Sequence, residues 1–259
     1  MLTTEFVTGS PNWLDVASPD IATSAAFYTA VFGWTFQSAG PDAGGYGFFQ
    51  QDGRTVAALG PLTENGADAA WTVYFKSQDA DATAHSVTRH GGAVRVDPMD
   101  VMDAGRMACF TDPQGADFAV WQPVSVRGLE STSERGTLCW AELHTDDGAG
   151  ALAFYRAVFG WRFQEFPMPG MTYTVLSTGE GEQEDATFGG VAPVQGDERS
   201  RWLPYFAVDD ADTLVSAVRD NGGSVVMPAT DVPDVGRMAH LADPFGARFA
   251  VLRPAPPQG

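Results

Sequence analysis

The stretch FYTAVFGW at Phe27–Trp34 returns almost unchanged as FYRAVFGW at Phe154–Trp161, a displacement of 127 residues along the chain. A shorter match precedes it, because NWLD at Asn12–Asp15 returns as CWAE at Cys139–Glu142. A repeat of this kind indicates two copies of one structural unit and has to be recognised before a fold is assigned. The chain is therefore interpreted as two homologous halves.

The match between the halves extends over almost the whole chain. GRM at Gly105–Met107 returns at Gly236–Met238, and DPQG at Asp112–Gly115 returns as DPFG at Asp243–Gly246. These later matches are displaced by 131 residues, because the second half has an insertion rich in Gly and Glu at residues 179–185. The predicted organisation is a first domain at 1–123, a linker at 124–136, a second domain at 137–254 and a tail at 255–259.

Each half divides again, because a strand pattern followed by a helix and further strands starts near both Trp13 and Trp71. Helices that cover one face of a sheet leave the other face available for a cleft. We therefore predict an α+β fold of four βαβββ modules in two tandem domains, with curved open sheets that form clefts.

Local signals predict where the first helix and one hairpin lie. Ser18 is suited to cap the helix, Pro19 fits its first position, and Gly33 suits a left-handed C-terminal residue. The pair Asp52–Gly53 predicts a tight turn between two strands.

The charge of the chain restricts its partners. There are 33 acidic and 15 basic residues, a formal net charge of -18, and such a surface repels phosphate backbones and anionic lipids. We expect no nucleic-acid or membrane partner, since no stretch reaches the roughly 18 apolar residues of a membrane span. Without a signal peptide, Cys109 and Cys139 are expected to be free thiols. The expected protein is cytoplasmic, and is a monomer (a fused pseudo-dimer) or a homodimer.

An Asp-initiated helix that ends Phe-Tyr-x-x-Val-Phe-Gly-Trp, followed by Gly-Arg-Met and Asp-Pro-x-Gly, resembles the vicinal oxygen chelate superfamily. That superfamily includes glyoxalase I, extradiol dioxygenases and bleomycin-resistance proteins. The resemblance covers nearly the whole chain, and the doubled motifs in the same order make it specific. It implies the fold, whereas function has to be argued from the site.

The resemblance also implies where metal ligands would stand. They are a His seven residues before the Asp that opens the helix, a His on the first strand of the next module, and a Glu seven residues after the Asp of Asp-Pro-x-Gly. At the first of these positions the two halves of this chain have Trp13 and Trp140. At the second they have Thr72 and Leu203, and at the third Ala119 and Ala250. A divalent ion needs several N, O or S ligands at one point. We predict no metal and no cofactor.

Alternate residues of a strand face the same side, which places Trp140, Glu142 and His144 together. The equivalent face of the first half carries Asp15 but no histidine. A carboxylate and an imidazole on one apolar wall are candidate general acid and base groups, because burial and mutual attraction shift both pKa values. Glu142 and His144 are therefore the predicted catalytic residues. The alternative is a structural pair that holds strands together.

Aromatic residues are predicted to line the clefts, which suits a flat apolar or aromatic ligand. The alternative for these side chains is core packing, and that is the expectation for Trp34 and Trp161. His240 is a candidate on the same grounds, with a structural role as its alternative. The predicted ligand-binding residues are Trp13, Asp15, Trp71, Trp140, Trp202, Phe48, Tyr173 and His240.

Arg106 and Arg237 follow a glycine in both halves. They could pair with a carboxylate of the ligand, or with the nearby Asp103 and Asp234. The repetition favours the structural pairing.

Three functions remain open at this stage. The first is a metal-independent small-molecule binding protein of the glyoxalase/bleomycin-resistance type, accessory to antibiotic resistance or biosynthesis. The second is a lyase, isomerase or oxygenase that acts on an aromatic or carbonyl compound through Glu142 and His144. This enzyme would work without a metal, or with a metal held by these two residues and one from another module. The third is a stress or interaction protein with vestigial clefts.

Overall fold

A computed structural model of the chain describes residues 2–63, 66–168, 171–182, 186–194 and 198–256. The order of strand, helix and three strands occurs four times. The first module has β1 (Pro11–Ser18), α1 (Ile21–Phe32), β2 (Thr35–Ser38), β3 (Gly47–Gln51) and β4 (Arg54–Pro61). The second has β5 (Ala70–Lys76), α2 (Ala80–Arg89), β6 (Ala93–Val101), β7 (Gly105–Thr111) and β8 (Asp117–Pro123).

The second half repeats this arrangement. The third module has β9 (Leu138–Thr145), α3 (Gly148–Phe159), β10 (Arg162–Met168), β11 (Met171–Ser177) and β12 (Thr187–Pro193). The fourth has β13 (Arg201–Ala207), α4 (Ala211–Asp220), β14 (Ser224–Val232), β15 (Gly236–Ala242) and β16 (Arg248–Pro254). Among the described residues, no helix is long and apolar enough to cross a membrane.

The strands form two open eight-stranded sheets, in the orders β2-β3-β4-β1-β5-β8-β7-β6 and β10-β11-β12-β9-β13-β16-β15-β14. In every module the first strand pairs in parallel with the last. The other pairs within the modules are antiparallel. The predicted α+β fold of four βαβββ modules is confirmed.

The chain divides into two compact units, each of which takes modules from both halves of the sequence. The first unit contains Met1–Trp13, Thr72–Gly128 and Trp140–Leu203, which are mainly the second and third modules. The second unit contains Leu14–Trp71, Leu129–Cys139 and Pro204–Gly259, which are mainly the first and fourth modules. The domain limits expected from the sequence stay a prediction.

Helix α1 begins at Ile21, so the prediction that Ser18 caps it and that Pro19 opens it was wrong. The cap is Asp20, whose Oδ1 accepts a hydrogen bond of 3.0 Å from the backbone N–H of Thr23. Ser18 is the last residue of β1. The helix ends as predicted, with Gly33 in the left-handed region at φ 77°.

The predicted hairpin turn is confirmed, because Asp52 and Gly53 both have positive φ, at 52° and 76°. The two cysteines are free thiols, as expected. Burial raises the pKa of Cys139 to about 12, which leaves its thiol protonated at neutral pH.

A buried chain of hydrogen bonds ties helix α3 to the Asp-Pro-x-Gly turn of the first unit. The indole Nε1–H of Trp202 donates to the Tyr155 hydroxyl at 2.8 Å, and that hydroxyl donates to Asp112 Oδ2 at 3.0 Å. Asp112 Oδ1 accepts from the backbone N–H groups of Gln114 and Ala116. The polar groups of this core are therefore satisfied in one connected network.

The second unit contains the same network. Trp71 Nε1–H donates to the Tyr28 hydroxyl at 3.0 Å, which donates to Asp243 Oδ2 at 3.1 Å. Asp243 Oδ1 accepts from the backbone N–H groups of residues 245 and 247. The repeated Phe-Tyr and Asp-Pro-x-Gly motifs thus supply the two ends of one buried link in each unit.

Arg106 pairs with two carboxylates of its own unit. Its Nε and Nη2 contact Asp81 at 2.8 and 3.0 Å, and its Nη1 contacts Asp100 at 2.9 Å. The expectation that Arg106 pairs with Asp103 was wrong. Asp81 in the first turn of α2 and Asp100, which lies directly opposite Arg106 on β6, are the partners instead. In the second unit, Arg237 contacts Asp212 and Asp231 in the same way.

Replacement of Tyr155 by Phe is expected to lower the free energy of unfolding by about 1–3 kcal/mol, because it leaves Asp112 and the Trp202 indole without a buried partner. Tyr28→Phe should have a similar effect through Asp243. Urea unfolding followed by circular dichroism measures both. Thr35→Val removes an exposed hydroxyl and serves as the control. Equal stability of Tyr155→Phe and the control would contradict the network.

High pH should unfold the chain through the same residues. Burial, followed by the nearby carboxylate, raises the pKa of Tyr28 and of Tyr155 well above the usual value of 10. The unfolded chain releases these protons above pH 10 while the folded chain retains them, so stability falls as the pH rises past about 10. Phenolate absorbance should show Tyr155 ionising only at the unfolding transition, a step that Tyr155→Phe makes smaller. Ionisation of Tyr155 before unfolding would contradict this assignment.

Candidate functional site

Strand β9 brings two ionisable side chains together in the first unit. Glu142 and His144 are 7% and 6% exposed, and His144 Nε2 lies 2.8 Å from Glu142 Oε1. They are two residues apart on the strand, so they share a face as the alternation predicts. Few buried positions carry a charged or titratable group unless it is paired.

Tyr173 on β11 completes the cluster. Its hydroxyl donates to Glu142 Oε2 at 2.6 Å and accepts from Trp140 Nε1–H at 3.0 Å. Burial, followed by the charge of Glu142, raises the pKa of Tyr173 well above its usual value, so the phenol keeps its proton and acts as the donor. We call Trp140, Glu142, His144 and Tyr173 the β9 cluster.

The contacts within the β9 cluster indicate which side chains donate and which accept hydrogen bonds. The two carboxylate oxygens of Glu142 each contact a different side chain. A carboxylate that accepts from an imidazole N–H sets which ring nitrogen carries the proton. In the tautomer whose Nε2–H donates to Glu142, the His144 Nδ1 atom holds the lone pair. An imidazole oriented in this way can accept a proton from a bound molecule, and the carboxylate stabilises the resulting cation.

The contact between Glu142 and His144 lies within one strand, so this hydrogen bond does not hold two strands together. The connection between strands comes from Tyr173, whose hydroxyl reaches from β11 to Glu142 on β9. Of these two contacts, the one from Tyr173 therefore connects two strands of the sheet.

The second unit contains a simpler version of this arrangement. The Tyr46 hydroxyl donates to Asp15 Oδ2 at 3.1 Å, and Phe48 packs edge-on against Tyr46 with ring centroids 5.9 Å apart. Ala17 stands where the other half has His144, so this copy has no imidazole on its strand. Tyr46 was missed from the sequence, although it lies 127 residues before Tyr173 and the repeat predicts its place.

Three other predicted residues are each hydrogen bonded to a tyrosine of their own unit. His240 Nε2 on β15 lies 2.9 Å from the Tyr205 hydroxyl on β13, within the second unit. Tyr205 was also missed, although it occupies a matched place in the repeat. Trp71 and Trp202 are buried and donate to the core tyrosines described above. Contact between any of these side chains and a ligand stays a prediction.

Trp34 and Trp161 are fully buried, which agrees with the core packing expected for them. Trp13 lies on β1 and is 7% exposed. Its role in ligand binding also stays a prediction.

The residues at the family's usual ligand positions do not fit a metal ion. The Trp140 indole nitrogen carries a hydrogen, which it donates to Tyr173, and indole nitrogen is a donor only. Ala119 and Ala250 are fully buried methyl groups that offer no lone pair.

Glu142, His144 and His240 do carry the carboxylate and imidazole donors that divalent ions accept. Glu142 and His144 belong to the first unit, and His240 belongs to the second. In the first unit, Glu142 Oε1 and His144 Nε2 are hydrogen bonded to each other, so an ion bound there would have to replace that hydrogen bond. The expectation of no metal stays a prediction.

Comparison with known proteins agrees with this fold. Residues 10–120 match the model of the Glyoxalase/Bleomycin resistance protein/Dioxygenase superfamily, and residues 137–179 match the Bleomycin resistance protein-like N-terminal model. The chain is 42% identical to the anthracycline biosynthesis protein DauV of Streptomyces sp. (strain C5), over 96% of this chain and 94% of that protein. It is 39% identical to CFP32 of Mycobacterium tuberculosis (strain CDC 1551 / Oshkosh), over 98% of each chain.

Two solved structures share the fold at low sequence identity. The 2,3-dioxygenase LapB from Pseudomonas sp. KL28 superimposes with a TM-score of 0.64 at 14% identity, over 97% of this chain and 95% of that one. The Mn(II)-bound glyoxalase from Novosphingobium aromaticivorans gives a TM-score of 0.60 at 17% identity, over 95% and 82%. The repeated motifs, the paired modules and the full-length relatives agree, and the chain belongs to the glyoxalase/bleomycin resistance protein/dioxygenase superfamily.

Proposed function

We propose that the chain binds a flat, aromatic organic molecule at the β9 cluster and that it does so without a metal ion. The observation that carries this proposal is the set of hydrogen-bond partners of the Glu142 carboxylate. Asp112 and Asp243 belong to similar Trp-Tyr-carboxylate chains, but their other oxygen accepts from backbone N–H groups. The other oxygen of Glu142 contacts an imidazole instead.

This difference favours function over structure. Backbone amides cannot change their protonation state, so a carboxylate held by them keeps the same partners at every pH near neutrality. An imidazole, with a reference pKa of about 6.5, is the side chain that gains or loses a proton in this range. Asp112 and Asp243 are buried carboxylates that this fold holds in place without a histidine. A structural role alone therefore does not require the imidazole.

The chemistry of the surrounding side chains supports an aromatic ligand. Trp140 and Tyr173 offer an indole and a phenol beside the polar pair, and aromatic walls with a few polar groups are typical of small-molecule sites. The Streptomyces relative is named for anthracycline biosynthesis, and an anthracycline carries a flat, polycyclic, oxygenated ring system. We infer a role in the biosynthesis of a small molecule of that type, or in resistance to it.

The second candidate function is an enzyme, a lyase, isomerase or oxygenase, that uses the same residues. It is favoured by the orientation of the imidazole. His144 Nδ1 can take a proton from a C–H or O–H group of the ligand, while Glu142 stabilises the imidazolium that forms. A metal held by Glu142, His144 and a residue from another module is a further version of this candidate.

Removal of the imidazole should weaken ligand binding. We expect His144→Ala and Glu142→Gln each to raise the Kd for an anthracycline aglycone about tenfold, a loss of roughly 1.4 kcal/mol. Quenching of tryptophan fluorescence and calorimetry measure the affinity. Asp15→Asn is the matched variant of the second unit and should have a smaller effect. His85→Ala changes an exposed histidine on α2 and is the control.

Unfolding experiments distinguish the alternatives for these variants. If His144→Ala kept full affinity and lost stability, His144 would be a structural residue and the proposed site would be wrong. If the aglycone bound but was also converted, with His144→Ala blocking conversion alone, the enzyme would be favoured.

Metal content tests the metal-independent part of the proposal. Protein purified without a chelator should contain well under one equivalent of zinc, manganese, nickel or iron, and EDTA should leave the melting temperature unchanged. Elemental analysis and thermal unfolding measure these quantities. A near-stoichiometric metal that is lost in His144→Ala would overturn this part and support the metal-dependent version.

A further inference from the structure

We infer that Gly190 is a positioning residue for the β9 cluster, because it leaves the space through which Tyr173 reaches Glu142. The inference rests on the proposed function, since it states how the ligand-binding carboxylate is oriented. Gly190 lies on β12, between β11 and β9 in the sheet, and is the register partner of Glu142.

The space above Gly190 is occupied by the phenol of Tyr173. A Cβ atom on Gly190 would overlap the hydroxyl oxygen and the Cζ atom of Tyr173, and would lie 2.9 Å from its Cε1. The Tyr173 side chain therefore crosses β12 at a residue without a side chain. By this path its hydroxyl comes within 2.6 Å of Glu142 on the next strand.

Backbone conformation does not explain the glycine. Gly190 is not among the glycines with positive φ, so its backbone is accessible to other residues. Glycine weakens a strand interior, because it loses more conformational entropy on folding and has no side chain to pack. The close approach of Tyr173 offsets this cost.

In the first half of the sequence, the register partner of the carboxylate is not a glycine. Asp15 has Ala58 as its register partner, and Tyr46 packs instead over Gly60, where a Cβ would lie 2.8 Å from the Tyr46 Cδ2 atom. The glycine opposite the carboxylate therefore occurs in the copy that also has the histidine. We assign it to the orientation of Glu142 and, through Glu142, of His144.

Gly190→Ala should displace the phenol and remove two hydrogen bonds at once, one to Glu142 and one from Trp140. The indole N–H resonance of Trp140, assigned with Trp140→Phe, reports the second hydrogen bond without any ligand. We expect this resonance to move in Gly190→Ala and in Tyr173→Phe, and to stay in place in the matched control Gly60→Ala.

The affinity for the anthracycline aglycone reports the first hydrogen bond. Gly190→Ala and Tyr173→Phe should each raise the Kd about tenfold, the loss expected for a hydrogen bond to a charged group. Tyr173→Leu removes the ring that the added methyl group would strike, so Gly190→Ala should add no further loss in that background. This is a double-mutant cycle whose coupling isolates the contact. If Gly190→Ala fails to fold, folding of the double variant Gly190→Ala/Tyr173→Leu supports the inference, and its failure to fold overturns it.

The outcomes separate the inference from the function on which it rests. An unmoved Trp140 resonance in Gly190→Ala, or fully additive losses in the cycle, overturns the inference. Unchanged affinity in Gly190→Ala beside a loss in Glu142→Gln overturns it as well. Unchanged affinity in Glu142→Gln, His144→Ala and Gly190→Ala together overturns the proposed function.

Discussion

The hydrogen bond from a helix tyrosine to the buried aspartate of the Asp-Pro-x-Gly turn is the constraint on which each unit depends. In the first unit it joins Tyr155 of the third module to Asp112 of the second, and in the second unit Tyr28 of the first module to Asp243 of the fourth. A carboxylate in an apolar interior is costly unless it is fully hydrogen bonded. The tyrosine is therefore required wherever the turn is buried, and the helix is tied to the turn of another module.

The candidate site contains the same order of side chains with a different final partner. Trp140, Tyr173 and Glu142 form an indole, phenol and carboxylate chain like the two chains in the cores. In the cores, the chain ends on backbone amides, which do not titrate. At β9 it ends on the imidazole of His144. The same indole, phenol and carboxylate chain is therefore a candidate for acid-base chemistry where its last partner is an imidazole in place of backbone N–H groups.

The relation to metal-dependent relatives follows from the same residues. The fold is shared with a Mn(II)-bound glyoxalase and a dioxygenase. At the family's first ligand position this chain has Trp140, and exchange of an imidazole for an indole turns an acceptor into a donor. That donor is used by Tyr173, which orients Glu142. The indole of Trp140 thus offers no lone pair at this position and takes part in the hydrogen bonds that orient Glu142.

The sequence alone determined the module order and the shared face of Trp140, Glu142 and His144, because a twofold repeat and the alternation of a strand are local properties. It also located the turn at Asp52–Gly53. It misplaced the cap of α1, because Ser18 and Asp20 are both good caps and only the end of β1 decides between them. The tertiary structure decided which side chains are hydrogen bonded to each other. The hydroxyl of Tyr173 meets Glu142, and Trp202 meets Tyr155 in the core, because strand order and register bring together residues that are distant along the chain. Gly190 could not be interpreted from the sequence, since the side chain that fills its space comes from the neighbouring strand.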